Sequence, residues 1–126
     1  KLVQGDRLII DIELAPSEQR TIPAILVDLL PAGLEIEAIL RPEDAGPNGV
    51  HAWLGTIDDP RIAEARDDRF VAAIDLRSGR PARLAYIVRA VTPGQYTLPG
   101  VVVEDMYRPD VFARSVTGQV VIRPRD

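Results

Sequence analysis

Apolar and polar positions alternate along most of this chain, and the alternation has the period of a β-strand. Leu8, Ile10, Ile12 and Leu14 interleave with Ile9, Asp11, Glu13 and Ala15, so a strand here puts the first set on one face and turns Asp11 and Glu13 to water. Residues 15–19 have turn composition. Residues 21–30 are β-branched and apolar, predicting a second strand, with Pro23 at a sheet edge or near the strand's own start. Pro31, Ala32 and Gly33 break it, and Leu34, Glu35, Ile36 and Glu37 resume the alternation. Residues 69–76 predict a strand with Phe70, Ala72, Ile74 and Leu76 inward. Residues 83–91 predict another, with Leu84, Tyr86, Val88 and Ala90 on one face and Arg83 and Arg89 on the other. The connection through Ser78, Gly79, Arg80 and Pro81 has hairpin length, so these two strands are expected to form the central hairpin. Pro93-Gly94 carries a type II turn signal. Short extended runs follow at 96–98 and 101–103, and 118–123 closes the chain with Val120 and Ile122 inward.

Residues 41–60 interrupt this pattern, with Pro42, Gly46, Pro47, Asn48, Gly49, Gly55 and Pro60. An irregular stretch of that length is uncommon in a domain and is often functional. Ile62 to Ala65 reads equally as a short strand or as one helical turn. No segment sustains a helical period. The sum is about seven or eight short strands separated by Pro and Gly turns, which predicts an all-β fold: a two-sheet antiparallel β-sandwich, with room for one short helix in the 41–66 region.

Composition narrows the function classes. The 126 residues are enough for one domain that buries roughly 65–70% of its unfolded surface. Apolar residues at 46% and charged residues at 27% are ordinary globular values, which argues against disorder. A net charge of −4 repels phosphate backbones and disfavours a nucleic-acid partner. No apolar run approaches the roughly 20 residues of a membrane-spanning helix. With no cysteine, thiol catalysis, disulfides and cysteine metal sites are excluded. The chain starts at Lys1 and its only methionine is Met106, so residues 1–126 are expected to be a single domain taken from a longer protein.

A catalytic constellation is hard to assemble. His51 is the one histidine and lies in the irregular stretch beside Trp53. Of the three serines, Ser17 and Ser78 have turn-forming neighbours, and Ser115 lies in no Gly-x-Ser-x-Gly elbow. Acidic pairs at Glu43-Asp44, Asp58-Asp59, Asp67-Asp68 and Glu104-Asp105 lack the spacing of a calcium loop and read as charged turns at strand ends. Arg66 and Arg69 flank Asp67-Asp68, predicting a surface ion-pair cluster worth about 0–1 kcal/mol per pair. No cofactor or metal is expected, and no enzyme activity.

One segment resists the bland reading. Val103-Glu104-Asp105-Met106-Tyr107-Arg108-Pro109-Asp110 joins two apolar runs. In an extended chain Met106 and Tyr107 point to opposite sides, so only one of them enters a core; in a loop both project outward. Met and Tyr are adaptable contact residues favoured at interfaces. Either arrangement is open at this level.

Four blocks together resemble a known family. They are Val27 to Ile36 (VDLLPAGLEI), Arg66 to Ala73 (RDDRFVAA), Tyr86 to Gly94 (YIVRAVTPG) and Glu104 to Pro109 (EDMYRP). In this order they resemble the macroglobulin-like domain that follows the thioester domain in bacterial α2-macroglobulins, the counterpart of the receptor-binding domain of animal homologues. The resemblance covers about residues 5 to 123 and leaves 41–60 without a matching motif. It implies a parent that is a large periplasmic protein, commonly an inner-membrane lipoprotein, which traps proteases covalently through a Cys–Gln thioester. It further implies that this domain, lacking cysteine, packs on the thioester domain and shields the bond from water, with Met106, Tyr107 and Arg108 at that interface. The alternative is a free-standing immunoglobulin-like binding or adhesion module using Trp53, His51 and Tyr107. Six aromatic residues in all give little material for a sugar platform.

Overall fold

Alternation along the chain becomes two apolar faces that meet. Strand β3 (Ile22–Leu29) sends Ile22, Ala24, Leu26 and Asp28 to the same buried side, and β6 (Arg69–Leu76) does so with Phe70, Ala72, Ile74 and Leu76. Opposite them, β7 (Ala82–Ala90) presents Leu84, Tyr86, Val88 and Ala90. This is seen in a computed structural model that describes residues 2–16, 21–45, 49, 51, 53, 55–77, 79–108, 112–115 and 117–126.

Three ladders carry the backbone hydrogen bonds among the described residues. A five-stranded sheet runs β10 (Phe112–Arg114), β9 (Val101–Asp105), β3, β6 and β5 (Ile62–Ala65). A three-stranded sheet runs β2 (Arg7–Leu14), β7 and β4 (Leu34–Ile39). A smaller one joins β1 (Leu2–Val3), β11 (Gly118–Arg123) and β8 (Gly94–Leu98). All pairings are antiparallel except β1 with β11. The all-β antiparallel sandwich expected from the sequence is therefore present, with a third small ladder added at its end. The undecided segment at 62–65 is a strand, and one helical turn, α1 (Pro42–Ala45), lies in the 41–66 region.

The expected central hairpin is absent. β6 pairs with β3 and β5, while β7 pairs with β2 and β4, so the two strands belong to opposite sheets. Among the described residues only an isolated bridge, Arg77 with Arg80, links the strand ends before the chain crosses over. The physical reason is that both strands carry large inward rings: Phe70 and Tyr86 stack with centroids 4.5 Å apart, face against face between the sheets. Period-two patterning fixes which side is apolar and says nothing of whether the partner lies beside the strand or across the core. Gly94, at φ +153°, is also far from the roughly +80° of a type II turn and instead opens β8 opposite Ile122.

Three described residues between 40 and 57 cover part of the second sheet's outer face. Leu40, Ala45 and Ile57 are buried with Ala85, against Ile9 and Ile87. The Leu40 amide donates to the Ala85 carbonyl at 3.1 Å and the Arg83 amide to the Asp58 carboxylate at 2.7 Å, tying this part of the chain to β7, while the His51 amide donates to the Asp44 carbonyl at 2.7 Å. This accounts for the apolar Ile9 and Ile87 on the side where Asp11 and Arg83 face water.

Asp28 is the exception in the core. It continues the apolar row of β3 yet is buried, and the buried Tyr86 hydroxyl donates to its carboxylate across the sheets. Burial holds the Asp28 carboxyl above its ordinary value, and the Tyr86 hydrogen bond opposes this. Burial first, then the bond to Asp28, holds the Tyr86 hydroxyl protonated. A raised folded-state value means that the folded form binds the proton more tightly. Asp28 therefore adds stability below its unfolded value of about 3.9, and that contribution is lost as pH rises through the folded value.

Tyr86→Phe is expected to lower stability by about 2–3 kcal/mol in urea unfolding at neutral pH, because a buried carboxylate loses its donor. Asp28→Asn keeps an acceptor without the charge. It is expected to equal or exceed the wild type at neutral pH, with the difference shrinking as pH falls toward the carboxylate range.

Candidate functional site

One register runs through two ladders. Gly94 lies opposite Ile122 and Leu98 opposite Gly118 in the small sheet; Val102 lies opposite Arg114 and Glu104 opposite Phe112 in the large one. β8 with β9, and β10 with β11, are thus the two arms of one long hairpin that passes from the small sheet to the large one. Its tip begins at Met106. At the crossing the arms come very close. The Val101 amide donates to Ser115 Oγ at 2.7 Å, and the Ser115 amide donates to the Val101 carbonyl at 2.9 Å. A side chain on Gly100 would place its Cβ 2.1 Å from the Ser115 carbonyl oxygen, so only glycine fits there. Beyond the crossing, β9 is held by β3 from Asp28 opposite Val101 to Ala24 opposite Asp105.

The tip is anchored by Asp105. Its inward parity matches Val101 and Val103, which pack against the core, but an acid stands where the pattern calls for a third apolar residue. The residue is 3% exposed. The Tyr107 amide donates to Asp105 Oδ1 at 2.9 Å, an Asx turn, and Arg108 Nε lies 3.7 Å from Oδ2. The Met106 amide donates to the Pro23 carbonyl at 2.9 Å, extending the β3 contact by one residue. With the backbone held at these points the side chains turn outward: Met106 is 46% exposed and Tyr107 82%. Arg108 is half-exposed, with its guanidinium turned back to Asp105. Pro109, Asp110 and Val111 lie outside the described residues.

The other sequence candidates do not join this tip. Trp53 is exposed and meets His51 edge to face, centroids 6.5 Å apart, between α1 and Ile57 in the chain. Ser115 Oγ is engaged with the Val101 amide, and Ser17 and Ser78 lie outside the described residues. The ion-pair cluster expected around Asp67-Asp68 is present on the surface, where Arg69 bonds Asp68 at 3.0 and 3.1 Å and Arg66 meets Glu64 at 3.1 Å. Asp58 and Asp44 accept backbone amides. A groove of about 540 Å³, mostly apolar, opens between β2 and the β9–β10 arm. Among the described residues no group of three or more His, Cys, Asp or Glu is placed to hold a metal. Asp105 does not stand out in the sequence, where Glu104-Asp105 reads as a charged strand end. Its parity with Val101 and Val103, and its spacing of two from Tyr107, are the signals that the chain offers.

A family model described as the bacterial alpha-2-macroglobulin MG10 domain matches residues 1–110, from β1 through the tip. The chain belongs to this family. The alpha-2-macroglobulin of Xylella fastidiosa is 45% identical over 114 residues, which cover 86% of this chain and 7% of that relative. Salmonella alpha-2-macroglobulin reacted with methylamine has a TM-score of 0.81 at 38% identity, over 98% of this chain and 8% of that one. Escherichia coli alpha-2-macroglobulin activated by porcine elastase gives 0.82 at 36% identity, over 98% of this chain and 11% of that one. The MG10 domain thus spans less than a tenth of the Xylella relative's length. Membership in the bacterial alpha-2-macroglobulin MG10 family replaces the immunoglobulin-like binding module as the reading of this fold, and it agrees with the resemblance carried by the four sequence blocks.

Met106 and Tyr107 are too exposed to support the MG10 core. Met106→Ala and Tyr107→Ala are each expected to change the unfolding free energy by less than about 0.5 kcal/mol, measured by urea denaturation of the 126-residue chain.

Proposed function

We propose that this MG10 domain shields the thioester of its parent alpha-2-macroglobulin from water, by seating Met106 and Tyr107 against the thioester domain. The observation that carries this reading is the exposed Met-Tyr pair at the start of a hairpin tip, with the Met106 amide held by the Pro23 carbonyl and the Tyr107 amide by Asp105 Oδ1. An exposed aromatic contributes little to the fold that bears it; here a buried carboxylate and a strand-end hydrogen bond hold one outward. The resemblance of the Glu104 to Pro109 block to the family's shielding loop supplies the partner.

The chemistry suits the task. A thioester is lost when water reaches it, and an aromatic cover excludes water. Seating a tyrosine buries about 150–250 Å², worth about 4–6 kcal/mol at 25 cal/mol/Å² before ordering costs. A contact of that size holds the cover in place and is still small enough to be released when cleavage of the parent rearranges its domains. In this reading the domain performs no catalysis. Its partners are the thioester domain and, through the parent, the proteases that the parent traps. Relatives reacted with methylamine or activated by elastase are in keeping with such a parent. The parent, in the same reading, is periplasmic and held at the inner membrane as a lipoprotein.

Tyr107→Ala in the intact parent is expected to speed thioester loss to water or methylamine by about tenfold or more, as expected for losing a contact of more than 1.4 kcal/mol. The check is thiol release over time, titrated with a chromogenic disulfide. Equal rates for variant and wild type would falsify the shielding role.

A further inference from the structure

The tip owes its shape to one acid in an apolar row. A buried carboxylate at a strand end is destabilising unless paired, and an aliphatic residue there would extend the packing of Val101 and Val103. What the acid achieves is local. Oδ1 takes the Tyr107 amide at 2.9 Å and Oδ2 faces Arg108 Nε at 3.7 Å, so one side chain grips both residues that follow Met106. Because Asp105 is 3% exposed and pinned opposite Ala24 in β3, this grip refers the tip to the rigid core rather than to solvent. The Met106 amide on the Pro23 carbonyl supplies a second point on the same strand.

We infer that Asp105 is a positioning residue for the thioester cover: its carboxylate sets the turn that aims Tyr107 outward, and Arg108, with Nε 3.7 Å from Oδ2, is a cationic partner that helps orient that carboxylate. This rests on the shielding reading for its consequence, but not for its geometry. Asp105 touches no thioester; it acts through Tyr107.

The two levels are tested separately. Hydrogen exchange at the Tyr107 amide, followed in the 126-residue chain, reads the turn alone. Asp105→Ala is expected to raise that exchange about tenfold, the loss of one hydrogen bond to a charged acceptor. Asp105→Asn keeps an acceptor oxygen and is expected to restore most of the protection, which a general loss of packing does not predict. In the intact parent, Asp105→Ala is expected to speed thioester loss as Tyr107→Ala does, with no further increase when the two are combined. Wild-type exchange at Tyr107 in Asp105→Ala overturns the inference. So does faster thioester loss from Asp105→Ala in a background that already carries Tyr107→Ala, since the acid then acts by some other route. Should Asp105→Ala fail to fold, unprotected exchange in a folded Asp105→Asn overturns it equally. If Tyr107→Ala leaves the thioester lifetime unchanged, the shielding reading fails and the role in the cover falls with it. The exchange result then decides the turn on its own.

Discussion

Tyr86 lies wholly inside the sandwich, and its hydroxyl must find an acceptor there. Asp28 provides one from the opposite sheet, while Phe70 stacks on the ring. This arrangement fixes how the two main sheets face each other. An apolar core of Leu, Ile and Val tolerates sliding and repacking, whereas a directional bond between a buried hydroxyl and a buried carboxylate is satisfied in one relative position. β3, which carries Asp28, also carries β9 on its other edge, so the placement of the hairpin is inherited from the same contact.

From that fixed strand the hairpin is built outward by close backbone approach. Gly100 lets the arms meet at the crossing, and the ladder with β3 holds the outer half until Asp105. The tip therefore departs from the sandwich at a defined place and in a defined direction. Two buried acids divide the work on neighbouring strands: Asp28 joins the sheets inside, and Asp105 shapes what leaves them. Both have structural tasks, one between the sheets and one at the start of the tip.

Much of this is legible in the chain itself. The inward rows of β6 and β7 follow from period two, because each has one face buried and a slip of one residue would expose every ring. The Met-Tyr segment stands out because two large adaptable side chains sit among charges. The partner of each strand is not legible. The link between β6 and β7 has hairpin length, yet the stacking of Phe70 on Tyr86 across the core sends them to different sheets. The role of Leu40, Ala45 and Ile57 is equally hidden, since they are scattered apolar residues until Ile9, Ala85 and Ile87 are seen beneath them.

By itself the sequence determined the all-β class, the faces of the long strands, the absence of cysteine chemistry and the segment that bears Met106 and Tyr107. These depend on local period and composition, which a linear chain displays directly. Only the tertiary structure decided that Asp28 and Asp105 are buried, that one hairpin spans two sheets, and that both Met106 and Tyr107 face out from a turn gripped by the acid before them. The reason is that burial and hydrogen bonding of a charged residue depend on partners far away in the chain: Tyr86 for Asp28, and for Asp105 the strand β3 that lies beside it.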